Sequence, residues 1–337
     1  MKTAVVILNW NGRDLLEKFL PSVVKYSAEA AIYVADNAST DDSVEFLEKH
    51  FPRVKRIQNK ENGGFSKGYN QALAHLREEL FILLNSDVEV TENWLHPIIA
   101  HFEDHPKTAV VQPKLLDYNH KDTFEYSGAA GGFVDKYAFP FCRGRIFDTI
   151  EKDHGQYDRE TPIFWASGAC FCIRREVFQN INGMDDTYFA HQEEIDLCWR
   201  ARNAGHRIMY LPQSKVYHLG GGTLNAMQPQ KTFLNFRNSL FNILKNVPQY
   251  RRILFMRLCL DGLAGLKFIL SRKPEHARAI IKAHFSFYAH YSEMKAKRSG
   301  KGGNSAYAAI TSIVWQYYFK RIRIFSNLKL KWKDNLA

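Results

Sequence analysis

An aspartate at the end of an apolar run is the first residue whose type and position suggest chemistry. Asp87 closes the segment FILLNSD, and a carboxylate at the end of a strand can bind a hard divalent cation that holds phosphate oxygens. His218 follows another strand-like run and precedes three glycines, where it could complete a metal site begun by Asp87. Taken singly, both residues also fit plain structural roles, in a turn or helix cap and in a buried packing position.

Polar residues follow three of the predicted strands. In an open parallel sheet, ligands bind beyond the carboxyl ends of the strands, so these residues should meet at one edge. A fourth group contains two glycines before a predicted helix, where the backbone can approach a ligand closely. The four groups are Asn9-Trp10-Asn11-Gly12, Asp36-Asn37, Asn85-Ser86-Asp87 and Asn62-Gly63-Gly64-Phe65. Together they favour a nucleotide site, while a turn and a plain loop are the alternatives for the second and fourth groups.

Three acids crowd the start of a predicted helix in the segment AHQEEIDLCWRAR. Asp196 and Arg200 are spaced i, i+4 and are expected to pair. Glu193 and Glu194 precede them, and acids at a helix N-terminus also simply suit the helix dipole. The loop before this helix contains Phe189 and could form the wall of a cleft.

The elements that must position these residues alternate apolar runs with helical spacing. This order predicts a parallel, doubly wound α/β sheet covered by helices on both faces. Residues 117–160, rich in glycine, charge and aromatics, are predicted as a long functional loop region. The predicted strands are 3–9, 31–36, 54–58, 80–84, 109–112, 164–173, 206–211 and 215–217. The predicted helices are 14–26, 43–51, 66–79, 174–180 and 193–204.

Charge is divided unevenly along the chain. Residues 230–337 carry 21 Lys and Arg against 4 Asp and Glu, whereas the first 229 residues carry 25 against 31. From about residue 230 the pattern changes to helices rich in Phe, Leu, Ile and Arg. We therefore predict a catalytic domain over 1–229, with halves at about 1–115 and 116–229, followed by a basic amphipathic helical region over 230–337.

The basic region is predicted to bind an anionic membrane surface. Residues 250–270 and 307–325 are expected to form helices whose apolar faces, broken by bases, lie in the interface plane. The bases are Arg251, Arg252, Arg257, Lys267, Lys320, Arg321 and Arg323. A helical cap packed on the catalytic domain is the alternative. The segment SGKGGNS, at 299–305, predicts a flexible break.

Compartment follows from cysteines and hydropathy. The five cysteines are odd in number and form no zinc-like pair of CxxC motifs, so we expect them reduced and mostly buried. The N-terminal apolar run has no cleavage site and indicates a core strand. The sequence contains no run of 18 uncharged apolar residues, so no transmembrane helix is predicted. A cytoplasmic protein, peripheral at the inner face of the cell membrane, is the resulting expectation. The cysteines are Cys142, Cys170, Cys172, Cys198 and Cys259.

Taken together, these motifs resemble the family-two glycosyltransferases, which have the GT-A fold, and more narrowly their rhamnosyltransferase-like members of bacterial surface-polysaccharide synthesis. The resemblance covers roughly residues 3–225, and the joint order of the motifs is specific. The motifs are VVILNWN, VADNASTDDS, NKENGGFSKGYNQAL, LLNSDVEV, SGACFCIRREVF, FAHQEEIDLCWRARNAG and HLGGGT. One departure is that the family's DxD motif has become Asn85-x-Asp87, which keeps the last aspartate and lowers the local negative charge.

The resemblance implies an inverting transfer from a nucleotide-sugar donor, linked to UDP, dTDP or GDP, to a glycan or lipid-linked acceptor hydroxyl. A Mg²⁺ or Mn²⁺ ion is implied at Asp87 and His218, and an acceptor cleft at Trp165 and Gly168. The implied nucleotide-sugar-binding residues are Asn9, Trp10, Asn11, Asp36, Asn62, Gly63, Gly64, Lys67, Asn85 and Ser86.

The base that removes the acceptor proton is expected among the three acids. Pairing with Arg200 should lower the pKa of Asp196 and make it a poor proton acceptor. Glu194 points about 100° away from Glu193 around the helix and is free to face the acceptor. The second acid of the family's ED-type pair is its usual base, which also favours Glu194 over Glu193.

Other functions fit less well. A sugar-phosphate nucleotidyltransferase needs a Gly-rich, basic loop after the first strand, where this chain has NWNGRD. A nicotinamide dehydrogenase needs a GxGxxG motif after a strand, which is absent. Nucleic-acid binding is disfavoured because the first 229 residues carry net negative charge and no recognition motif. A non-catalytic sugar- or lipid-binding scaffold remains an alternative.

Overall fold

The computed structural model describes residues 1–220, 228–298 and 307–331. The strands, in chain order, are β1 (Thr3–Asn9), β2 (Ala30–Asp36), β3 (Lys55–Gln58), β4 (Leu80–Asn85), β5 (Val88–Val90), β6 (Thr108–Asp117), β7 (Gly132–Val134), β8 (Pro140–Cys142), β9 (Arg145–Ile146), β10 (Thr149–Ile150), β11 (Thr161–Pro162), β12 (Cys170–Arg174) and β13 (Arg207–His218). The α-helices are α1 (Arg13–Tyr26), α2 (Ser43–His50), α3 (Gly64–Ala74), α4 (His96–Asp104), α5 (Arg175–Asn180), α6 (Glu193–Asn203), α7 (Pro229–Asn246), α8 (Tyr250–Leu270), α9 (Pro274–Ala289) and α10 (Tyr291–Ala296).

The main sheet has nine strands in the order β11-β13-β6-β12-β4-β1-β2-β3, with β5 paired to β13. Strands β3, β2, β1 and β4 pair in parallel. Because β12 is antiparallel to both β4 and β6, and β13 is parallel to β6, six strands run in one direction. The apolar runs of β1 and β4 are buried, and their alternating side chains enter separate cores on the two faces of the sheet. The predicted α/β fold with a mainly parallel sheet is confirmed.

Strand register explains why the polar groups meet. Asn9 lies opposite Asp36 in the parallel pair β1–β2, and Leu8 lies opposite Asn85 in β1–β4. The residues that follow these strands therefore leave the sheet at one edge, as the sequence predicts. On the far side of the sheet, antiparallel pairing of β5 with β13 sets Val88 opposite His218 and so brings Asp87 to the histidine.

Several predicted element boundaries are wrong. The region 117–160 is not a continuous loop, because it holds a second sheet in the order β10-β9-β8-β7. Its strands are two or three residues long, too short to show a period of two. The runs 206–211 and 215–217 join into one strand, β13, which is irregular between Leu211 and Lys215.

Smaller boundary differences affect two other segments. The predicted strand 164–173 is confined to β12, and the predicted helix 66–79 ends at Ala74. Helix α4 and strand β5 carry no prediction from the sequence. These differences leave the order of the main elements unchanged.

The C-terminal region agrees with its prediction only in part. Residues 250–270 form α8 as expected, whereas 307–325 contain no α-helix and only a short π-helical turn over Trp315–Phe319. The backbone before that turn bonds the small sheet instead, since Ala309 N donates to the Val134 carbonyl and Lys136 N donates to that of Ile310. The predicted break at 299–305 lies outside the described residues.

Helix α7 packs on α6, α8 and α9, so the C-terminal helices lie against the predicted catalytic domain. The boundary at residue 229 stays a prediction. Within the described ranges, no helix is long and apolar enough to cross a membrane. All five cysteines are free and four are buried, Cys259 being exposed, which confirms the expectation from the sequence.

Candidate active site

A cavity of about 300 Å³ opens at the carboxyl ends of β1 and β4. It brings together most of the residues that the sequence singles out, from segments far apart in the chain. The predicted residues that line it are Trp10, Asn11, Asn62, Gly64, Asn85, Ser86, Asp87, Gly168, Glu193, Glu194 and His218. The predicted residues outside its lining are Asn9, Asp36, Gly63, Lys67 and Trp165.

Asp36 and Asn9 are fully buried beneath the side of the cavity that follows β1, β2 and β4. This side, which the sequence predicts to bind the nucleotide, is here called the nucleotide side. Asn9 Nδ2 donates to Asp36 Oδ1 at 3.1 Å, and Ser39 N donates to Asp36 Oδ2 at 2.9 Å. The Ser39 hydroxyl in turn accepts from Asn11 N at 2.8 Å. The two buried side chains therefore fix the loop that carries Asn11 into the cavity.

Gly64 lies on the nucleotide side and contacts the segment before α6. That segment, together with Glu193 and Glu194, is here called the acidic side. The φ of Gly64 is +73°, and a Cβ at this position would lie 2.5 Å from the Phe189 carbonyl oxygen. That oxygen accepts the N–H of Phe65 at 2.7 Å, at the start of α3. A glycine is required here because the backbone of 187–192 passes too closely for any side chain.

The remaining predicted residues flank the cavity. Lys67 pairs with Glu61 on the exposed side of α3. Trp165 is buried, and its indole N–H donates to the Phe133 carbonyl at 2.9 Å, so it supports the wall that Gly168 reaches. Gly63 precedes α3 as its N-cap residue.

Asp87 and His218 form a buried pair at the floor of the cavity. His218 Nε2 lies 3.1 Å from Asp87 Oδ1, and its Nδ1 lies 3.1 Å from Glu125 Oε1. Burial alone would lower the pKa of His218, but the charges of Asp87 and Glu125 outweigh it and raise the pKa to about 10. Glu125 is missed by the sequence analysis because it lies in the region predicted as a loop.

The donor set of this pair suits a divalent cation. Carboxylate oxygen with imidazole nitrogen is a ligand combination found for Mn²⁺ and, with more oxygen ligands, for Mg²⁺. Within the described part of the chain, no group of three His, Cys, Asp or Glu side chains has the arrangement of a complete metal site. A metal ion at Asp87 and His218 would therefore need further oxygens, from water or a bound phosphate, to complete its coordination.

Glu193 and Glu194 begin α6 and face the same cavity. Among the described residues, the Oε2 atom of each has no hydrogen-bond partner. Burial, followed by the charge of Glu194, raises the pKa of Glu193 well above its ordinary value. Burial also raises the pKa of Glu194 to about 7, against the opposing effect of backbone N–H groups. Glu194 can therefore exchange a proton near neutral pH.

Asp196 is directed away from the cavity. Arg200 Nε lies 2.7 Å from its Oδ2, which confirms the pairing predicted from the i, i+4 spacing. Lys245 Nζ also donates to Oδ2, at 2.9 Å. Burial would raise the pKa of Asp196, but these two cations outweigh it and lower the pKa. Asp196 is a structural anion, as the sequence predicts.

Four further polar cavity residues are missed by the sequence analysis, namely Ser127, Ser167, His191 and Lys231, whereas Phe189 lines the cavity as the sequence suggests. Burial lowers the pKa of His191 to about 4 and that of Lys231 below its usual range. Lys231 comes from the first turn of α7, in the region that the sequence assigns to membrane binding. A signal for Ser167 exists, since it precedes Gly168 in a motif already singled out.

Comparison with known proteins gives a consistent result. A relative from Mycobacterium tuberculosis (strain CDC 1551 / Oshkosh), described as N-acetylglucosaminyl-diphospho-decaprenol L-rhamnosyltransferase, is 24% identical over 229 residues, which cover 64% of this chain and 75% of the relative. The structure of S. aureus TarS 1-349 with UDP-GlcNAc has a TM-score of 0.57 and 18% identity, and the match covers 88% of this chain and 84% of that one.

A mannosyltransferase structure from Pyrobaculum calidifontis, with GDP-Man and Mn²⁺, has a TM-score of 0.52 at 14% identity and covers 88% of this chain and 79% of that one. These two structural likenesses show the fold. The model of the glycosyl transferase family 2 matches residues 4–181, more than half of the chain. This chain therefore belongs to glycosyl transferase family 2 and is a glycosyltransferase with the GT-A fold.

Proposed function

We propose that this glycosyltransferase moves a sugar from a nucleotide-diphosphate sugar to an acceptor hydroxyl with inversion at the anomeric carbon. One observation carries the proposal. Two carboxylates with raised pKa values face a buried Asp87–His218 pair across one cavity. A proton acceptor on one side and an anion-binding centre on the other are what a single displacement from a diphosphate leaving group requires.

Glu194 is the proposed base. Its Oε2, which has no hydrogen-bond partner among the described residues, takes the proton from the substrate hydroxyl. The oxygen of that hydroxyl attacks the anomeric carbon from the face opposite the diphosphate. Glu193 lies beside this base, and the charge of Glu194 adds to burial in raising the pKa of Glu193. A divalent ion held by Asp87, His218 and diphosphate oxygens would neutralise the charge that develops on the leaving group. Trp10, Asn11, Asn62 and Ser86 lie where the nucleotide side of the donor would bind.

The substrate classes are suggested by the relatives. Solved structures of this fold hold UDP-GlcNAc and GDP-Man, which supports a UDP-, dTDP- or GDP-linked donor here. The name of the mycobacterial relative supports transfer of a deoxyhexose to a lipid-linked diphosphate sugar. We place the protein in cell-surface polysaccharide or glycolipid synthesis on this basis.

The test is a panel of UDP-, dTDP- and GDP-sugars with the purified protein, with and without Mn²⁺, measuring release of the nucleoside diphosphate. We expect one donor to be hydrolysed slowly alone and turned over faster with an acceptor. NMR of the product should show the anomeric configuration opposite to that of the donor. Retention of configuration, or full activity in excess chelator, would contradict the proposed mechanism.

The C-terminal helices carry the proposed membrane contact. Phe255, Cys259, Leu263, Leu266 and Leu270 recur at helical spacing on α8 and are all exposed, Leu270 by 76%. On α9, Ile281, Phe285 and Tyr288 form a second exposed apolar row, with Phe285 exposed by 74%.

Exposed bases accompany both rows, namely Arg251, Arg252, Lys267, Arg272, Arg278 and Lys282. Apolar side chains beside several bases match an anionic lipid surface, and each nearby base adds about 1 kcal/mol of attraction. Arg257 does not belong to this set, because it is buried and paired with Asp261 at 2.7 Å. Part of α8 is therefore a packed cap, as the alternative reading of the sequence has it.

Vesicle flotation tests the lipid contact. We expect binding to vesicles that contain phosphatidylglycerol and weak binding to phosphatidylcholine alone. The double variant Leu270→Glu and Phe285→Glu should lose most of this binding, whereas Val24→Glu, at a partly exposed apolar position on α1, should not. A stable dimer in analytical ultracentrifugation that the double variant abolishes, without lipid binding, would assign this surface to a second copy.

A further inference from the structure

The segment directly before α6 has an unusual backbone. Phe189, His191 and Gln192 all have positive φ, at 63°, 67° and 69°. Phe189 has ψ −62°, and the Ala190 N–H donates to the Tyr188 carbonyl at 2.8 Å, which closes a tight three-residue turn. Residues other than glycine rarely adopt such backbone conformations unless surrounding contacts hold them. These conformations cluster where function requires a fixed geometry.

Asn238 of α7 holds this segment through its side chain. It is fully buried, and the two N–H groups of its Nδ2 are shared among the carbonyls of Tyr188, Ala190 and His191, at 3.1, 2.9 and 2.7 Å. Its Oδ1 accepts from Arg237 Nε at 2.9 Å, which fixes the orientation of the amide. One side chain therefore gathers three carbonyls that point away from regular secondary structure.

Neighbouring residues of α7 extend the contact to both ends of the segment. Arg237 Nη2 donates to the Thr187 carbonyl at 3.1 Å. One turn beyond Asn238, Asn242 Nδ2 contacts Gln192 Oε1 at 3.3 Å, and its Oδ1 accepts the Tyr188 hydroxyl at 2.8 Å. After a further turn, Lys245 bonds Asp196 inside α6. The spacing of 238, 242 and 245 places these three residues on one face of the helix.

The supported segment bears directly on the site. Phe189, Ala190 and His191 line the cavity. Only Gln192 separates them from Glu193 and Glu194. The Phe189 carbonyl also accepts the N–H of Phe65, in the first turn of α3 on the nucleotide side. A small change in this backbone would therefore shift the carboxylates relative to the donor, and displacements of this kind are costly for transfer.

We propose that Asn238 is a positioning residue for glycosyl transfer, holding residues 187–192 so that the carboxylates of Glu193 and Glu194 face the donor. The proposal rests on the proposed role of Glu194 as base. It gives the face of α7 that contains Asn238 and Asn242 a role in transfer, although the sequence places this helix in the membrane-binding region. Asn242 acts with Asn238 from the next turn.

The test uses Asn238→Asp in the full chain. This variant keeps the side chain's size but replaces the donating Nδ2 by an oxygen that repels the three carbonyls. We expect kcat to fall at least 10-fold while the donor KM changes less than 3-fold. Hydrogen exchange should rise in a peptide over 187–193 and stay unchanged in β1 and β4. Asn242→Ala should show the same pattern more weakly and replaces Asn238→Asp if that variant does not fold.

Two control variants separate positioning from stability. Ser239→Ala removes a bond within α7 itself, from the Ser239 hydroxyl to the Asn235 carbonyl. Leu240→Ala leaves a cavity in the core and lowers the melting temperature without removing a hydrogen bond to the segment. Both should keep kcat within 2-fold.

A fall in kcat no larger than that of Leu240→Ala would overturn the proposal, as would unchanged exchange over 187–193. Increased exchange with normal kcat would show that Asn238 holds the segment but does not position the base. If the wild-type protein transfers no sugar from any donor, the proposed function fails. The exchange measurement then still decides whether Asn238 holds the segment.

Discussion

The two sides of the cavity are built by different means. On the nucleotide side, backbone pairing of β1 with β2 and β4 brings Asn11, Asn85 and Asp87 to one edge of the sheet. On the acidic side, α6 is held by side-chain bonds from α7, such as Asn246 Nδ2 to Asp196 Oδ1 at 3.0 Å, between residues 50 positions apart. Sheet topology therefore determines one side of the site, and individual polar contacts determine the other.

The two sides also differ in what surrounds their carboxylates. Without a metal ion, His218 is a cation that stabilises the anion of Asp87, and a bound metal ion would replace this proton, because imidazole binds a metal only in its neutral form. Glu193 and Glu194 have no such cation, and burial raises their pKa values. This difference gives each side its own experimental signature.

The largest effect is expected on the Asp87 side. Asp87→Ala should lower transfer by about 10³-fold, since charge stabilisation of the leaving group is worth several kcal/mol. Chelation of the wild-type protein should do the same, and added Mn²⁺ should reverse it. Glu89→Gln, which removes a partly exposed acid two residues away that pairs with Lys121, serves as the control and should stay near normal. An Asp87→Ala variant with normal turnover would remove the metal from the mechanism.

On the acidic side, Glu194→Gln should keep the fold and donor binding but lower kcat by about 10²-fold, the usual contribution of a general base. Glu193→Gln should cost less, because Glu193 is not the proposed proton acceptor. Single-turnover kinetics together with donor binding by calorimetry would make this comparison. If Glu193→Gln is inactive and Glu194→Gln is normal, the base is Glu193 and the assignment moves by one residue.

The pH profile provides a third measurement of the same difference. A base with a pKa of about 7 must be deprotonated to act, so kcat should rise as pH increases through 7 and fall about 10-fold between pH 8 and pH 6. The pKa is raised by folding, so ionising Glu194 as pH rises from about 4.5 to 7 should also cost stability. In Glu194→Gln the acid limb of the kcat profile should flatten. If the acid limb of the profile is unchanged in this variant, it reports the titration of a group other than Glu194.

The sequence predicts the first side of the site better than the second. Apolar runs ending in Asn9, Asp36 and Asn85 give both the strands and the edge where they meet, because parallel strands end together. The acids of α6 are also recognisable, and the Asp196–Arg200 pair follows from helical spacing.

The support from α7 could not be read in the same way. Asn238 and Asn242 lie on an amphipathic helix whose charge suggests a membrane, and nothing local shows that they bond carbonyls about 50 residues earlier. Glu125 was missed because it lies near β-strands too short to show a period. Contacts that depend on tertiary packing leave little local pattern in a single sequence.

The smallest effect is expected at Asp36, beneath the nucleotide side. Its carboxylate is buried and accepts from Asn9, from the Ser39 backbone and from Gln58 Nε2 at 2.8 Å, so it orders a loop and does not line the cavity. Asp36→Asn keeps its shape but turns one acceptor into a donor, which should lower the free energy of unfolding by about 1–2 kcal/mol. Donor affinity should fall only a few-fold, because Asn11 is displaced slightly and no ligand contact is removed. Calorimetric titration of the donor beside a denaturant melt would measure both quantities. A donor affinity reduced 100-fold at unchanged stability would show that Asp36 contacts the nucleotide directly, and the loop between β2 and α2 would then have to open when the donor binds.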